Sequence, residues 1–335
     1  MAHNESDGWA RADTISFADA PASPGTQGVT VDLTRGTATG HGNDTIFLAA
    51  PGVEDPAAAA RHGVVLAVVG TRGDDTLKDF VSPPSTANHP TSNVTLVGGP
   101  GNDRVTAAGG GTTVQEGVAP GRPESLGSGT YRVGQEFAGQ GPGSANVYRS
   151  TSPGTTEFWL NGGGGRVIGG LGQDAVRVLG GTSKHSISFG AGKAFLLVHG
   201  KAVHRPVTAT PGTVLAYSRD LGTSKSAVKV NAATGSVRVA GRNLGTVRGV
   251  RSWDLLTQGA LTFTGTARAD NLWVIAKRIN ARLRAGNDTI TARVRTRTGT
   301  RVDGGKGRDT VQLRHQRGAQ LVKFKAKLIS IEIRR

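Results

Sequence analysis

Short apolar runs separated by glycine-containing turns make up most of the sequence. Representative runs are VTVDL (29–33), VTLVGG (94–99) and VRVAG (237–241), in which apolar and polar residues often alternate. Alternation with a period of two, interrupted by frequent turn residues, predicts short β-strands that each bury one face. The alanine-rich segment PAAAARHG (56–63) is the only one that predicts a short helix. The pattern therefore predicts an all-β protein.

One nonapeptide, G-G-x-G-x-D-x-U-x with U a large apolar residue, recurs along the chain. Complete copies occupy 98–106, 169–177 and 304–312, and partial copies occupy 39–47, 70–78, 265–273 and 283–291. A unit of this length cannot bury its apolar face alone, so successive copies are expected to stack. We therefore predict an elongated solenoid with irregular insertions between the copies.

A longer duplication accompanies the nonapeptides. The segment GVTVDLTRGTATG near the N-terminus matches AVKVNAATGSVRVAG, so that Asp32 corresponds to Asn231 and Gly36 to Gly235. We predict a first repeat module at 1–110, an irregular β region at 111–212 and a second repeat module at 213–335.

The nonapeptide has the chemistry of a cation-binding loop. In GGPGNDRVT, the three glycines Gly98, Gly99 and Gly101 allow a tight coil with inward carbonyl oxygens, and Asp103 adds a carboxylate. Calcium takes six to eight oxygen ligands, many of them backbone carbonyls. The alternative is that the aspartates cap turns without any metal.

These nonapeptides resemble the RTX, or haemolysin-type, repeats of secreted bacterial proteins. The resemblance implies a right-handed parallel β-helix or β-roll-like fold with calcium between successive loops. It places the calcium ligands on Asp44, Asp75, Asp103, Asp174, Asp270, Asp288 and Asp309. It places the inward apolar residues on Ile46, Leu77, Val105, Val176, Leu272, Ile290 and Val311.

The chain also departs from this family's pattern. A β-roll turn takes 18 residues, and only the step from Asp270 to Asp288 has that length. The other steps are longer and favour a β-helix with looped-out insertions. In addition, Arg268 stands where the nonapeptide has its third glycine.

Composition and charge indicate the class of binding partner. The chain has 51 glycines, no cysteine and a formal net charge of +16. Region 275–335 holds 17 Lys and Arg against 4 Asp and Glu, a net +13, which predicts an anionic polysaccharide or cell-wall polymer as partner. In that region Arg293, Arg295 and Arg297 alternate with smaller residues and are expected on one strand face; a solvated outer face is the alternative.

The chain has no apolar run long enough to span a membrane, nucleic acid is not an expected partner, and a monomer is expected. Although the first 20 residues contain no secretory signal pattern, we expect an extracellular protein, secreted or on the cell surface.

The leading functional hypothesis is a calcium-binding repeat protein with a structural or adhesive role. No G-x-S-x-G, Walker or H-E-x-x-H motif occurs, and we predict that the protein is not an enzyme. A β-helix carbohydrate-active enzyme remains an alternative, with paired carboxylates from adjacent turns among Asp174, Asp220 and Asp254. A binder of anionic polymers through a basic face is a further alternative.

Overall fold

The computed structural model is an all-β solenoid built mainly from parallel strands. It describes residues 12–17, 20, 26–40, 43–45, 65–79, 93–99, 101–108, 112–115, 124–126, 129–131, 146–151, 155–160, 163–179, 181–210, 213–222, 224–296, 298–315, 325–329 and 333–334. None of these residues lies in a helix, so the predicted all-β class is confirmed. The predicted helix at 56–63 lies outside the described residues.

The chain divides into two compact units. Unit 1 comprises Met1–Trp159 and Gly169–Gly172, and unit 2 comprises Leu160–Ile168 and Gln173–Arg335. The three modules expected from the sequence stay a prediction.

The strands of unit 1 are short and come from both repeats and connecting segments. They are β1 (Ala12–Ser16), β2 (Gln27–Asp32), β3 (Thr37–Thr39), β4 (Asn43–Thr45), β5 (Val65–Val69), β6 (Asp74–Lys78), β7 (Asn93–Val97), β8 (Arg104–Ala107), β9 (Thr112–Gln115), β10 (Glu124–Leu126), β11 (Gly129–Tyr131), β12 (Asn146–Ser150) and β13 (Thr155–Leu160), whose last residue belongs to unit 2.

Two strand stacks and the separate antiparallel pair β10–β11 form unit 1. One has the order β1-β5-β7-β9-β13 and is parallel throughout. The other has the order β12-β8-β6-β2-β3-β4, in which β12 to β2 are parallel and the last two strands are antiparallel. Strands from the two stacks alternate along much of the chain, as in a solenoid whose turns each contribute one strand to each sheet.

The strands of unit 2 continue this organisation. They are β14 (Gly164–Ile168), β15 (Gln173–Val178), β16 (Thr182–Ser188), β17 (Lys193–His199), β18 (Val203–His204), β19 (Val207–Thr208), β20 (Val214–Asp220), β21 (Val228–Asn231), β22 (Ser236–Val239), β23 (Arg242–Arg248), β24 (Val250–Leu256), β25 (Ala260–Thr264), β26 (Asn271–Ala276), β27 (Arg278–Arg282), β28 (Thr289–Val294), β29 (Thr298–Asp303), β30 (Thr310–His315), β31 (Lys325–Ile329) and β32 (Ile333–Arg334).

Three strand stacks form unit 2. The longest is parallel, in the order β15-β17-β20-β24-β26-β28-β30-β32. A second runs β19-β23-β22-β21-β25-β27-β29-β31 and is parallel from β21 onwards, and a third contains β18, β16 and β14. Because β26 pairs with β28 and β27 with β29, each turn here supplies one strand to each of two sheets.

The duplication predicted from the sequence is present as a hairpin in each unit. β2 is parallel to β6 and antiparallel to β3, and β21 is likewise parallel to β25 and antiparallel to β22. The turn is capped in the same way in both: Asp32 Oδ1 accepts the N–H of Arg35, and Asn231 Oδ1 accepts that of Thr234. A short polar residue that accepts a nearby backbone N–H stabilises such a turn.

Alternation of side chains places the repeat's apolar residue in the core. Six of the seven predicted inward residues are buried, and they are Leu77, Val105, Val176, Leu272, Ile290 and Val311. The seventh, Ile46, lies outside the described residues. In the part of the chain that the structure covers, no helix is long and apolar enough to cross a membrane.

Candidate functional site

Five of the predicted aspartates lie in two stacks of turns, one in each unit. The unit-1 stack consists of Asp75, Asp103 and Asn146, and the unit-2 stack consists of Asp270, Asp288 and Asp309. All six residues are buried. The stacking follows from parallel pairing of the strands at which these residues lie: β6 with β8 and β8 with β12 in unit 1, and β26 with β28 and β28 with β30 in unit 2.

In both stacks a side-chain oxygen accepts the backbone N–H of the equivalent residue one turn earlier. In unit 1, the N–H of Asp75 donates to Asp103 Oδ1 at 3.1 Å, and the N–H of Asp103 donates to Asn146 Oδ1 at 2.8 Å. Each bond satisfies a backbone donor that would otherwise be buried without a partner.

The unit-2 stack repeats this ladder with three carboxylates. The N–H of Asp270 donates to Asp288 Oδ1 at 2.7 Å, and the N–H of Asp288 donates to Asp309 Oδ1 at 2.9 Å. The aspartates therefore hold adjacent turns in register, in addition to any role with a metal.

The residue before the aspartate forms a second ladder in the opposite direction. The N–H of Asn102 donates to Asp74 Oδ1 at 2.9 Å in unit 1. The N–H of Arg308 donates to Asn287 Oδ1 at 2.9 Å in unit 2. A short polar side chain at this position thus satisfies a backbone donor of the following turn.

Close stacking requires a glycine two residues before Asp103 and two residues before Asp309. A Cβ at Gly101 would collide with the carbonyl oxygen of Gly73, and one at Gly307 with that of Gly286. Both glycines have positive φ, 125° and 130°, which other residues rarely adopt. The collision is with the preceding turn, so a copy that opens a stack escapes it. Arg268 occupies this position in the first copy of the unit-2 stack.

The carboxylate of Asp75 is fully used by protein donors. Its Oδ1 accepts the N–H of Val29 and the hydroxyl of Thr71, at 2.8 and 2.9 Å, and its Oδ2 accepts the N–H of Thr71 at 2.8 Å. Burial raises the pKa of Asp75 to about 6, although these hydrogen bonds oppose the shift. Both oxygens therefore have protein partners, and the calcium role expected for Asp75 stays a prediction.

Asp288 in the unit-2 stack is different. Its Oδ1 accepts the Asp270 N–H, but its buried Oδ2 has no hydrogen-bond partner. Burial raises the pKa of Asp288 to about 7, and the neighbouring carboxylates of Asp270 and Asp309 add to the rise. An orphaned carboxylate oxygen between two further carboxylates fits a bound cation.

Asp270, at the start of this stack, is intermediate between these two cases. Its Oδ2 accepts the N–H of Thr266 at 2.6 Å. Burial raises the pKa of its carboxyl as well, and the bond from Thr266 opposes the rise.

The three carboxylates of the unit-2 stack form a row and do not converge on one point. Among the described residues, no group of three or more His, Asp or Glu side chains is arranged to hold a metal ion. Calcium can, however, take most of its ligands from backbone carbonyls and water. Any site here would therefore combine Asp288 Oδ2 with oxygens of the loops at 265–270 and 283–288.

Two predicted ligands lie apart from both stacks. Asp174 is buried in β15, where it pairs with Ala194 of β17. Asp44 lies in β4, which is antiparallel to β3, and its side chain is outside the described residues.

Sequence reasoning missed the residues that complete the unit-1 stack. Asn146 occupies an aspartate position 43 residues after Asp103, and the stretch before it, GQGPGSA (139–145), keeps only the first glycine of the nonapeptide, Gly141. Its signals are this glycine-rich stretch and a short polar side chain two residues before a buried large one, here Tyr148. Asp79, also buried, accepts hydrogen bonds from the Ala108 N–H and the Thr112 hydroxyl.

Two of the three carboxylates considered for catalysis lie on the outer face of the longest unit-2 sheet. Asp254 of β24 pairs with Ser218 of β20 and with Trp273 of β26, and Asp220 lies two residues beyond Ser218. The Ser218 hydroxyl is 3.5 Å from Asp254 Oδ2, and burial raises the pKa of Asp254, with the Asp220 charge adding to the rise. The third carboxylate, Asp174, is buried and does not lie on this exposed face.

A scan against models of known protein families finds no match to this chain, and a search of curated proteins finds no similar sequence.

Proposed function

We propose that the protein is a secreted or cell-surface scaffold with an adhesive role, and that it binds calcium at the unit-2 stack. The observation that carries the proposal is the buried, unpartnered Oδ2 of Asp288 between the carboxylates of Asp270 and Asp309. The resemblance of the turns to RTX repeats supports the same cation.

Three stacked carboxylates repel one another when ionised, and burial strengthens the repulsion. Asp288 would be the central ligand, and backbone carbonyls of the flanking loops would supply the other oxygens. A bound calcium ion would neutralise this charge and hold successive turns together.

A site with few carboxylate ligands is expected to bind weakly, with a Kd on the order of 10⁻⁴–10⁻³ M. Such a site fills where calcium is abundant, outside the cell. The extracellular location therefore follows from the calcium proposal, and the repeating surface of a solenoid suits the adhesive role.

The test compares Asp288→Asn with Asp103→Asn, because both substitutions keep an oxygen that can accept the ladder hydrogen bond. In the parent, calcium at roughly ten times its Kd should raise the free energy of unfolding by about 1.4 kcal/mol. Asp103→Asn should keep this increment and Asp288→Asn should lose it. Chemical unfolding with and without calcium measures the difference.

Magnesium at the same concentration is the ion control, since it needs a stricter octahedral geometry and should stabilise the parent much less. Calorimetric titration should show calcium binding to the parent and not to Asp288→Asn. An equal calcium increment in the parent and in Asp288→Asn would contradict the proposal.

A second candidate function, catalysis on a polysaccharide, is favoured by the outer-face carboxylates. Asp254, with a raised pKa, would serve as general acid and Asp220 as its partner, with the half-buried Trp273 beside them as a sugar platform. Release of reducing ends or unsaturated products from a polysaccharide panel, abolished by Asp254→Asn, would support it. The absence of turnover across the panel would contradict it.

A further inference from the structure

The second large sheet of unit 2 carries an uninterrupted polar face. Outward residues of five neighbouring strands lie in register: Arg238 pairs with Lys229, Lys229 with Thr262, Thr262 with Asn280, and Asn280 with Arg301. We call these five residues the basic row. Neighbouring strands lie about 4.8 Å apart, so the row is about 19 Å long.

The strand pattern fixes which way these side chains point. In β27, Arg278, Asn280 and Arg282 are exposed whereas Ile279 and Ala281 are buried. The neighbouring strands alternate in the same way, with Lys229, Arg238 and Arg301 exposed between buried valines or a valine and a threonine. The cations therefore share one face of the sheet, and the opposite face packs in the core.

The positive charge of this face is largely uncompensated. Arg278 and Arg282 flank Asn280 and add two cations to the three of the basic row. Arg301 lies 3.9 Å from Asp303, and in the described part of the chain the other four cations form no ion pair. Like charges at this spacing repel one another, and an anionic ligand would remove that cost.

We propose that this face binds an acidic polysaccharide, a linear chain that carries carboxylate or sulfate groups and lies along the basic row. The planar guanidinium groups of Arg238 and Arg301 suit such anions, which accept two parallel hydrogen bonds. Thr262 and Asn280, between the cations, can donate to or accept from sugar hydroxyls. The repeating surface of a solenoid suits an extended polymer.

A polysaccharide fits this face better than a nucleic acid does. Proteins that bind single strands stack bases on aromatic side chains. At the described outward positions of β21, β22, β25, β27 and β29 there are only basic, hydroxyl, amide, small and acidic residues.

This surface is distinct from the region predicted from charge alone. Lys229 and Arg238 precede region 275–335, so the binding face is assembled by strand pairing from two parts of the sequence. In that region, Arg293 ends up on β28, but the strand ends at Val294 and Arg295 lies in a bend. The expected single strand carrying Arg293, Arg295 and Arg297 is therefore wrong; Arg297 itself lies outside the described residues.

The test is retention of the full chain on immobilised polygalacturonate and heparin, with a variant and a control of equal charge. The face variant is Lys229→Gln/Arg238→Gln/Arg301→Gln. The control, Lys193→Gln/Arg293→Gln/Arg314→Gln, removes one Lys and two Arg that are exposed on the other large sheet of unit 2. Matched melting curves show that both variants fold.

At near-physiological salt, about 0.15 M, the face variant should bind about tenfold more weakly than the parent, and the control within about twofold. Asp288→Asn should leave binding unchanged, which separates this proposal from the calcium site. An equal loss in both variants, or no binding by the parent, would overturn it. Tighter binding of single- or double-stranded DNA than of either polysaccharide would also overturn it in favour of a nucleic-acid surface.

Discussion

The unit-1 and unit-2 stacks share the same ladder of hydrogen bonds but differ in the charge of the residues that form it. In each, two backbone N–H groups are satisfied by the side chain of the next turn, at distances between 2.7 and 3.1 Å. The unit-1 stack ends in a neutral amide, Asn146. The unit-2 stack ends in a third carboxylate, Asp309.

The donors around the carboxylates differ as well. Asp75 receives three hydrogen bonds from Val29 and Thr71, whereas Asp288 receives one, at Oδ1. A carboxylate that is saturated by protein donors serves to hold the chain together. A carboxylate with a buried, unpartnered oxygen can either take up a proton or bind a cation. Asp75 is the first residue of its stack, as Asp270 is in unit 2, and both accept the N–H of the threonine four residues earlier. The contrast between Asp75 and Asp288 is therefore one between two positions of the ladder as well as between the two units.

The largest expected effect concerns what the stacks share, the glycine of closest approach. Gly101→Ala and Gly307→Ala should each lower the free energy of unfolding by about 4 kcal/mol or more, because the new Cβ meets the backbone of the preceding turn at an unfavourable φ. Chemical unfolding in the presence of a chelator measures the loss in both units.

Gly222→Ala is the matched control for this prediction. Gly222 also has positive φ, 54°, but a Cβ there meets nothing within 4 Å, so a loss of about 1 kcal/mol is expected. If Gly101→Ala cost no more than Gly222→Ala, close stacking would not be the reason for the glycine.

The next largest effect compares the loss of two carboxylates, Asp75 and Asp288, that accept different numbers of hydrogen bonds. Without calcium, Asp75→Ala should cost about 3 kcal/mol or more, because two buried N–H groups and a hydroxyl lose their acceptor. Asp288→Ala leaves one N–H without its acceptor and removes a repelled charge, so a loss of about 1 kcal/mol is expected. Equal losses would mean that the two carboxylates do not differ in the way their hydrogen bonds indicate.

More of the unit-2 stack than of the unit-1 stack could be predicted from the sequence. The spacing of Asp270 and Asp288 and the apolar residue after each aspartate indicate stacked turns. Asn146 was not predicted, because it lies 43 residues after Asp103, replaces the aspartate by an amide and keeps only one of the three nonapeptide glycines, Gly141. The hydrogen-bond donors of each carboxylate were not predictable either, since Val29, whose N–H donates to Asp75, lies 46 residues away from it. Strand pairing, and not local sequence, determines these partners.

The third effect is a pH dependence carried by Asp288. Its pKa in the folded protein is about 7, above that of an unfolded chain. The stability from its neutral form is therefore complete at acidic pH and is lost as the pH rises through 7. Without calcium, Asp288→Asn should gain stability relative to the parent between pH 4 and 8, by about 1 kcal/mol or more. The difference in unfolding free energy between the two proteins cancels the pH dependence of other groups, such as His204, whose pKa burial lowers to about 4.

Unfolding curves at each pH, in chelator and in calcium, test this prediction. Calcium should abolish the parent's loss at high pH, because the ion replaces the proton in stabilising the carboxylate. A stability difference that does not change with pH would show that Asp288 is ionised throughout and that burial does not disfavour its charge.

The smallest expected effect comes from making the unit-1 stack resemble the unit-2 stack. Asn146→Asp keeps an oxygen that accepts the Asp103 N–H and adds a third carboxylate to a row that now ends in an amide. Without calcium, repulsion should lower the free energy of unfolding at neutral pH by about 1 kcal/mol. If a row of carboxylates is sufficient for binding, calcium should then restore this loss and titration should reveal one additional site. If calcium restores nothing, a row of three stacked carboxylates is not sufficient for calcium binding.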